Sequence, residues 1–420
     1  MKSSICSIRG MKVALQLIFL FITLSASSQD MNRVQATQAL RTGDNYIRFG
    51  NFEQAEKAYS NAIDIDPSFA DAHMKRAFLR KMVGRSQESM VDYNTAVRLN
   101  PYVDYIYDRR AALRMLAMDY RGALEDYNRA VSMTPDNNEF RDNRVENLIA
   151  MGDYDAAMAD IDTLIQNNYF PENQFESKAI VSMLQSRLLD ARMYIDSALA
   201  VNPNSSIAYD ILGVVQLKEE NLEGAILNFS KAIELNPKFS IAYYNRSVAH
   251  RYLGNGRQAA RDLDQAVETS HDLSQIYFTR ALVKKELGDL DGALSDYEQA
   301  LDIDSSYTKA LFNKAFTLKF MGDYTSAMNH ANEVIDMQPD NPENWNLKGN
   351  IHLMFADYNL AIDCYTEALS LDAEYLDAAF NRGLAFIMSY RINEGCDNLR
   401  FCMDRGHAKA EKMYVLFCTD

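Results

Sequence analysis

The sequence predicts an all-α protein, built as a solenoid of about eleven helix-turn-helix repeats and followed by a capping helix at the carboxyl end. Three observations predict it. Small residues recur with a period of 34 residues, glycines mark one turn position in that period, and prolines mark the seam between periods. The composition agrees, because 48% of the 420 residues are hydrophobic and only 8 are proline. These values exclude a disordered or collagen-like chain.

We number the positions of each 34-residue unit as columns 1 to 34, starting at Ala36. Column 20 holds a small residue in every unit, and columns 8 and 27 are mostly small as well. Small side chains let helix axes approach closely, as two packed helices per unit require. The column-20 residues are Ala55, Ser89, Ala123, Ala157, Ala191, Ala225, Ala259, Ala293, Ala327, Ala361 and Gly395.

The turn and seam positions agree with this division. Column 15 carries glycine in six units, where the first helix of each pair is expected to end. Column 32 carries proline in six units, which suits a turn between units because proline lacks a helix donor. The glycines are Gly50, Gly84, Gly152, Gly254, Gly288 and Gly322, and the prolines are Pro67, Pro101, Pro135, Pro203, Pro237 and Pro339.

Residues 1–28 have the order of a secretory signal. Lys2, Arg9 and Lys12 precede an apolar run from Val13 to Leu24, and four small residues follow at 25–28. The pattern predicts cleavage and export, to a periplasmic or secreted location, with no membrane insertion afterwards. An uncleaved anchor is the alternative, although twelve apolar residues are fewer than the roughly 20 that span a bilayer. Loss of these three cations changes the net charge from −15 to −18.

The segment Gly288-Asp-Leu-Asp-Gly-Ala293, followed by Tyr297 and Ala300, resembles the tetratricopeptide repeat. The resemblance covers eleven units over residues 36–409, leaving a lead at 29–35 and a cap at 410–420. It implies a right-handed superhelix whose first helices line a concave groove for a partner. The fourth and fifth units depart from the pattern, so altered stacking is expected at their joint.

The resemblance places ligand contacts in columns 2, 5, 6, 9, 12 and 13, which we call the groove face. Column 5 is acidic in units three to six and aromatic later, while column 6 carries several asparagines whose amides can pair with an extended peptide. We expect basic segments of a partner polypeptide at the acids, and apolar or extended segments at the other residues. The candidates are Asp108, Asp142, Glu176, Asp210, Tyr244, Asn245, Phe278, Phe312, Asn313, Phe380 and Asn381, with Tyr252, Phe316 and Phe320 on neighbouring columns.

Alternatives stay open for these candidates. The acids could form a solvated face, and the aromatic residues could belong to the core between repeats. A second functional hypothesis is a glycan- or small-molecule-binding protein that stacks its ligand on the aromatic section.

Column 7 is basic in nine units, and column 23 is aspartate in five of them. Units one and six, which lack the basic residue, also lack the aspartate. This correlation predicts an ion pair between the two helices of one unit, with a structural role.

Four cysteines follow the predicted signal, all near the carboxyl end. Because export permits disulfides, we predict that Cys396 pairs with Cys418 and ties the last repeat helix to the cap. The resemblance to the closing segment of exported bacterial repeat proteins agrees with this pairing. Cys364 and Cys402 are expected to be packing thiols, and no zinc-ligand spacing is found.

No combination of residues in the sequence indicates an enzyme. The six histidines are scattered, and no phosphate-binding loop is found. The acidic charge argues against nucleic-acid binding. The sequence therefore predicts a non-catalytic scaffold without cofactor or metal, binding a protein or peptide partner. It does not determine the oligomeric state.

Overall fold

The computed structural model describes residues 31–419, and the predicted signal at 1–28 lies outside this part. The all-α class is confirmed, because the described residues form helices α1 to α23 and no strand. Helix α1 is described over residues 31–48 and so includes residues 31–35 of the predicted lead. The described residues divide after Val201 into two compact units. Each unit is described by itself below.

The first compact unit contains α1 to α10. After α1 its helices are α2 (Phe52–Ile65), α3 (Ala70–Met82), α4 (Ser86–Leu99), α5 (Asp104–Leu116), α6 (Tyr120–Met133), α7 (Asn138–Met151), α8 (Tyr154–Gln166), α9 (Pro171–Leu184) and α10 (Leu188–Val201).

The second compact unit contains α11 to α23. Its helices are α11 (Ser206–Lys218), α12 (Leu222–Leu235), α13 (Ser240–Tyr252), α14 (Gly256–Thr269), α15 (Ser274–Glu286), α16 (Leu290–Ile303), α17 (Thr308–Met321), α18 (Tyr324–Met337), α19 (Pro342–Met354), α20 (Tyr358–Leu371), α21 (Leu376–Met388), α22 (Ile392–Asp404) and α23 (Ala410–Cys418).

Column 15 has one backbone conformation in all eleven repeats. The six glycines there have φ between +71° and +90°, the left-handed region that glycine adopts without steric cost. The other five repeats place residues with a Cβ in the same region, with φ from +58° to +64°. These five residues are Met118, Ser186, Glu220, Ala356 and Tyr390. The turn between paired helices therefore follows from the repeat and not from glycine alone.

The small columns are the contact points between helices. Column-20 alanines such as Ala55 and Ala123 are fully buried. At column 8, the backbone of Gly43 approaches the ring of Tyr59, and a Cβ on Gly43 would lie 2.4 Å from the ring. Gly213 has the same relationship to Phe229, at 2.5 Å. The large column-24 ring therefore requires a small residue on the facing helix.

The seam between the fourth and fifth repeats differs in its backbone. Helix α8 ends at Gln166, and both Asn168 (φ +53°) and Phe170 (φ +42°) are left-handed before Pro171 begins α9. Elsewhere in residues 31–419, the other non-glycine residues with positive φ all lie in column 15. The altered local connection occurs at the joint where the sequence pattern is irregular.

The predicted ion pairs between columns 7 and 23 are confirmed. In each, arginine Nε donates to one aspartate oxygen and Nη2 donates to the other. A third donor, Nη1, reaches a column-25 side chain of the preceding repeat, as from Arg110 to Asn94 at 2.9 Å. Each guanidinium therefore links three helices. The five pairs are Arg76–Asp92, Arg110–Asp126, Arg144–Asp160, Arg246–Asp262 and Arg280–Asp296.

The carboxyl end is closed by α23, and the predicted pairing of Cys396 with Cys418 is present as a disulfide. The bond joins α22 to the end of α23. Cys402 is buried in a core cluster that also contains Leu399 of α22 and Ala410 of the cap. Cys364 is also a buried free thiol, as predicted.

Candidate functional site

The column-5 acids do not form an exposed strip on the groove face. Asp108, Glu176 and Asp210 are buried, with 1%, 5% and 7% of their surface exposed. Asp108 Oδ1 accepts a hydrogen bond of 2.8 Å from Asn143 Nδ2, in column 6 of the next repeat. Asp142 is half-buried and accepts from Gln174 Nε2 at 2.9 Å. The expectation of a displayed acidic section does not hold for the three buried carboxylates.

The same link recurs in the second compact unit. Asn245 Nδ2 donates to both oxygens of Asp210, at 3.0 and 3.1 Å. Asn381 Nδ2 donates to Asn346 Oδ1 at 3.0 Å, again joining column 6 to column 5 of the preceding repeat. These asparagine donors are therefore engaged inside the protein, whereas the sequence analysis expected them to meet a peptide.

Burial shifts the pKa of the acids in these links. It raises the pKa of Asp108, although the hydrogen bond from Asn143 acts to lower it. Burial likewise raises the pKa of Asp210 to about 6, against the lowering effect of Asn245. Desolvation disfavours the charged carboxylate, and the hydrogen bond from one neutral amide offsets that cost only in part.

Two of the candidate aromatic residues are core residues. Phe278 is 8% exposed, and its ring centroid lies 5.0 Å from that of Tyr307. Phe380 is also 8% exposed and stacks on His407, with 4.5 Å between centroids. The expectation that they contact a ligand does not fit this burial, and packing within the repeats accounts for both.

The remaining candidates are half-buried. Tyr244 and Phe312 expose part of their rings, and the Tyr244 hydroxyl accepts from Gln275 Nε2 at 3.4 Å. Asn313 accepts from Lys285 Nζ at 3.0 Å and donates to the Lys309 carbonyl at 2.9 Å.

A cationic row in column 12 is the feature that sequence reasoning missed. Arg251, Lys285 and Lys319 occupy this groove-face column in three successive repeats. The run was visible in the sequence, because column 12 is aliphatic or methionine in most other repeats. Exposed aromatic residues accompany the row in columns 13 and 9. They are Tyr252, Phe320 and Phe316, with 73%, 73% and 39% exposed.

The two lysines and Phe316 form one cluster. Lys319 Nζ lies 4.6 Å and Lys285 Nζ 5.4 Å from the centroid of the Phe316 ring, within the range of cation–π attraction. Burial lowers the pKa of both lysines. Within residues 31–419, neither lysine has a carboxylate oxygen within 4.0 Å. By contrast, Arg251 Nε donates to Glu286 at 3.0 Å.

Cavities accompany these side chains. One of about 240 Å³ is lined by Lys285, Glu286, Leu290, Phe316, Thr317 and Phe320. Another, of about 480 Å³, is lined by Val248, Arg251, Tyr252 and Glu286. In the first compact unit, a cavity of about 300 Å³ lies among groove-face residues of the first three repeats, including Asp44, Lys75, Phe78, Tyr105 and Arg109. The groove face thus offers recesses with both apolar walls and charged groups.

Models of the tetratricopeptide repeat family match four stretches of the chain. Those described as Tetratricopeptide repeat match residues 285–351, 207–239 and 342–375, and one described as TPR repeat matches residues 43–84. The chain is a tetratricopeptide repeat protein. Such repeats indicate a protein–protein interaction scaffold, and their fold is typically non-catalytic.

Solved structures similar to this tetratricopeptide repeat protein have low sequence identity. A tetratricopeptide repeat protein from Parabacteroides merdae is 16% identical, with a TM-score of 0.45, covering 67% of this chain and 98% of its own. Cut9–Hcn1 of the APC/C is 10% identical, with a TM-score of 0.48, covering 91% and 96%. YrrB, described as having an unusual peptide-binding site, is 18% identical, with a TM-score of 0.40, covering 44% and 95%. No curated protein matches the sequence.

Within residues 31–419, no helix combines the length and apolar character that crossing a membrane needs. No cluster of three or more His, Cys, Asp or Glu side chains in the same residues has the geometry to hold a metal ion.

Proposed function

We propose that this protein is a non-catalytic scaffold outside the cytoplasm, and that it binds a partner polypeptide along the groove face. The observation that carries the proposal is the cluster of Lys285, Lys319 and Phe316 beside the exposed ring of Phe320. Half-buried ammonium groups without a carboxylate favour an anionic ligand, and exposed rings favour an apolar one.

The partner segment therefore combines carboxylates with apolar side chains. Its apolar groups fill the recess of about 240 Å³, and its carboxylates lie near Lys285 and Lys319. This differs from the basic segment that the column-5 acids suggested, because Asp108 and Asp210 are buried and bonded to asparagines. The cationic row also stands out against the acidic charge of the whole chain, which would repel an acidic partner elsewhere.

Selection from a displayed random peptide library on the immobilised protein tests this function. We expect enriched peptides that contain Asp or Glu next to aromatic or aliphatic residues. Their affinity should fall at least tenfold in Lys285→Gln/Lys319→Gln and should weaken with salt. Lys238→Gln/Lys412→Gln is the matched control, since both lysines are exposed and off the groove face. Equal binding by both double variants, or no enriched peptide, would contradict the proposal.

Export is tested separately. Fusion of residues 1–28 to a phosphatase that is active only outside the cytoplasm should give an active enzyme. Replacement of Leu20 and Phe21 in the apolar run by Asp should abolish that activity. Activity that is independent of these residues would contradict the location and leave the binding proposal standing.

A glycan-binding function is the second candidate, and the exposed rings of Tyr252 and Phe320 favour it. An oligosaccharide array probed with the protein distinguishes the two functions. Glycan binding that is lost in Tyr252→Ala/Phe320→Ala and kept in Lys285→Gln/Lys319→Gln would mean that the ligand is a glycan and not a polypeptide.

A further inference from the structure

The last repeat breaks the arginine–aspartate pattern of the five pairs. Its column-7 residue is Arg382, but its column-23 residue is Asn398 in place of aspartate. Arg382 Nε donates to Asn398 Oδ1 at 3.0 Å, and Nη1 donates to Thr366 Oγ1 at 3.2 Å. In the five pairs Nη2 donates to the second carboxylate oxygen, as from Arg280 to Asp296. In Arg382 this donor has no acceptor among residues 31–419.

The guanidinium charge of Arg382 is consequently uncompensated. No carboxylate oxygen in residues 31–419 lies within 4.0 Å of it. Burial acts to lower the pKa of the Arg280 guanidinium, but the hydrogen bond and charge of Asp296 outweigh it and raise that pKa. For Arg382, burial prevails and lowers the pKa. The side chain stays protonated all the same, because arginine titrates far above neutral pH.

A cavity of about 530 Å³ lies beside this charge. Arg382, Thr366, Ser370 and Asn398 supply its polar wall, and Leu369, Ala373, Ala379 and Phe401 supply its apolar wall. Asp397 is also part of the lining but is exposed, so water solvates its carboxylate. None of the lining residues falls in a groove-face column. The volume is within the range of small-molecule pockets.

We propose that this cavity is a second binding site, which takes a carboxylate carried on a compact apolar group. The ligand's carboxylate replaces the missing aspartate and accepts from Arg382 Nη2, while its apolar group lies against Leu369 and Phe401. Charge-assisted hydrogen bonds from a guanidinium to a carboxylate are about twice as strong as neutral ones, which favours an anion over a neutral ligand. The site is independent of the groove face and of the proposed function.

The variant Asn398→Asp tests the site, because it restores the aspartate of the other five pairs. We would titrate 4-fluorobenzoate into the full protein, follow the fluorine NMR signal and repeat the titration with neutral 4-fluorobenzamide. Asn393→Asp is the matched control, since it adds the same charge to α22 at an exposed residue outside the cavity lining.

We expect 4-fluorobenzoate to bind the wild type and Asn393→Asp alike, and to bind Asn398→Asp at least tenfold more weakly. The melting temperature of Asn398→Asp without ligand should be higher than that of the wild type, which shows that the variant folds. Equal binding by Asn398→Asp and wild type would overturn the proposal. So would binding of 4-fluorobenzamide as tight as that of 4-fluorobenzoate, or no binding of 4-fluorobenzoate to the wild type.

Discussion

Arg246 and Asp262, sixteen residues apart on paired helices, are joined by two hydrogen bonds. Nε donates to Oδ2 at 2.9 Å and Nη2 donates to Oδ1 at 2.7 Å. Asp262 is 6% exposed, and the only other basic side chain within 4.0 Å of its carboxylate among residues 31–419 is His250, whose Nε2 lies 3.9 Å away. Removing Arg246 alone would therefore leave a buried carboxylate without its main partner.

Removal of the arginine alone should be costly. Arg246→Ala leaves the Asp262 carboxylate buried without its main partner, and we expect a loss of about 3 kcal/mol in the free energy of unfolding. Arg246→Met/Asp262→Leu removes both charges and should lose less than the single variant. Urea unfolding of the two variants and the wild type checks this. A double variant less stable than Arg246→Ala would contradict the explanation.

The buried carboxylate of Asp210 should make stability depend on pH. Its folded-state pKa of about 6 exceeds the unfolded value of about 3.9. The folded state therefore holds the proton more tightly, and the stability that Asp210 contributes is fully present below about pH 4 and is lost as pH rises towards 6. Asp210→Asn, which copies the Asn346–Asn381 pair, stays neutral throughout.

We expect Asp210→Asn to match the wild type near pH 4 and to exceed it at pH 7 by about 3 kcal/mol. Denaturant unfolding at a series of pH values measures the difference. Asp272→Asn is the control, because Asp272 is exposed. A constant difference between Asp210→Asn and wild type from pH 4 to 7 would show that Asp210 does not titrate in this range.

The disulfide between Cys396 and Cys418 should stabilise the cap. It closes a separation of 22 residues, for which the chain-entropy estimate is about 3 kcal/mol. Cys396→Ser/Cys418→Ser should lower the stability of α23 and speed amide hydrogen exchange there, while α11 to α13 keep their exchange rates. Unchanged protection of α23 in the variant would show that the packing of its residue Ala410 in the core cluster with Leu399 and Cys402 of α22 holds the cap without the disulfide.

A left-handed tyrosine should be replaceable by glycine. Tyr390 occupies column 15 with φ +64° and is 93% exposed, so its side chain contributes little packing. Tyr390→Gly should raise the free energy of unfolding by about 0.5 to 1 kcal/mol. The strain energy relieved in the folded state is larger than the free energy lost because glycine makes the unfolded chain more flexible. Gly288→Ala is the reverse change at an equivalent position and should destabilise. Thermal unfolding of both variants is the measurement, and a lower melting temperature for Tyr390→Gly would contradict the strain argument.

The sequence predicted the features that depend on one repeat and its spacing. The helix pairs, the turns at column 15 and the five arginine–aspartate pairs all follow from local periodicity, because the same two helices meet in every unit. The pairing of Cys396 with Cys418 was also predicted, from the cysteine spacing and the expected export, and the disulfide confirms it.

The groove face was predicted less well. Column 5 lies on it, yet Asp108 and Phe278 are buried there, because the next repeat covers the column and an asparagine or aromatic neighbour completes the contact. Columns 9, 12 and 13 remain more open, and these carry Phe316, Lys319 and Phe320.

The period of 34 residues determined by itself that this protein is an array of paired helices, because apolar stripes of that spacing are buried only against neighbouring repeats. The tertiary structure decided which polar groups are buried and paired within the array and which remain accessible on its surface. Burial depends on the neighbouring repeat, so the acidic column 5 contains both the buried carboxylates of Asp108 and Asp210, each bonded to an asparagine of the next repeat, and the half-buried carboxylate of Asp142.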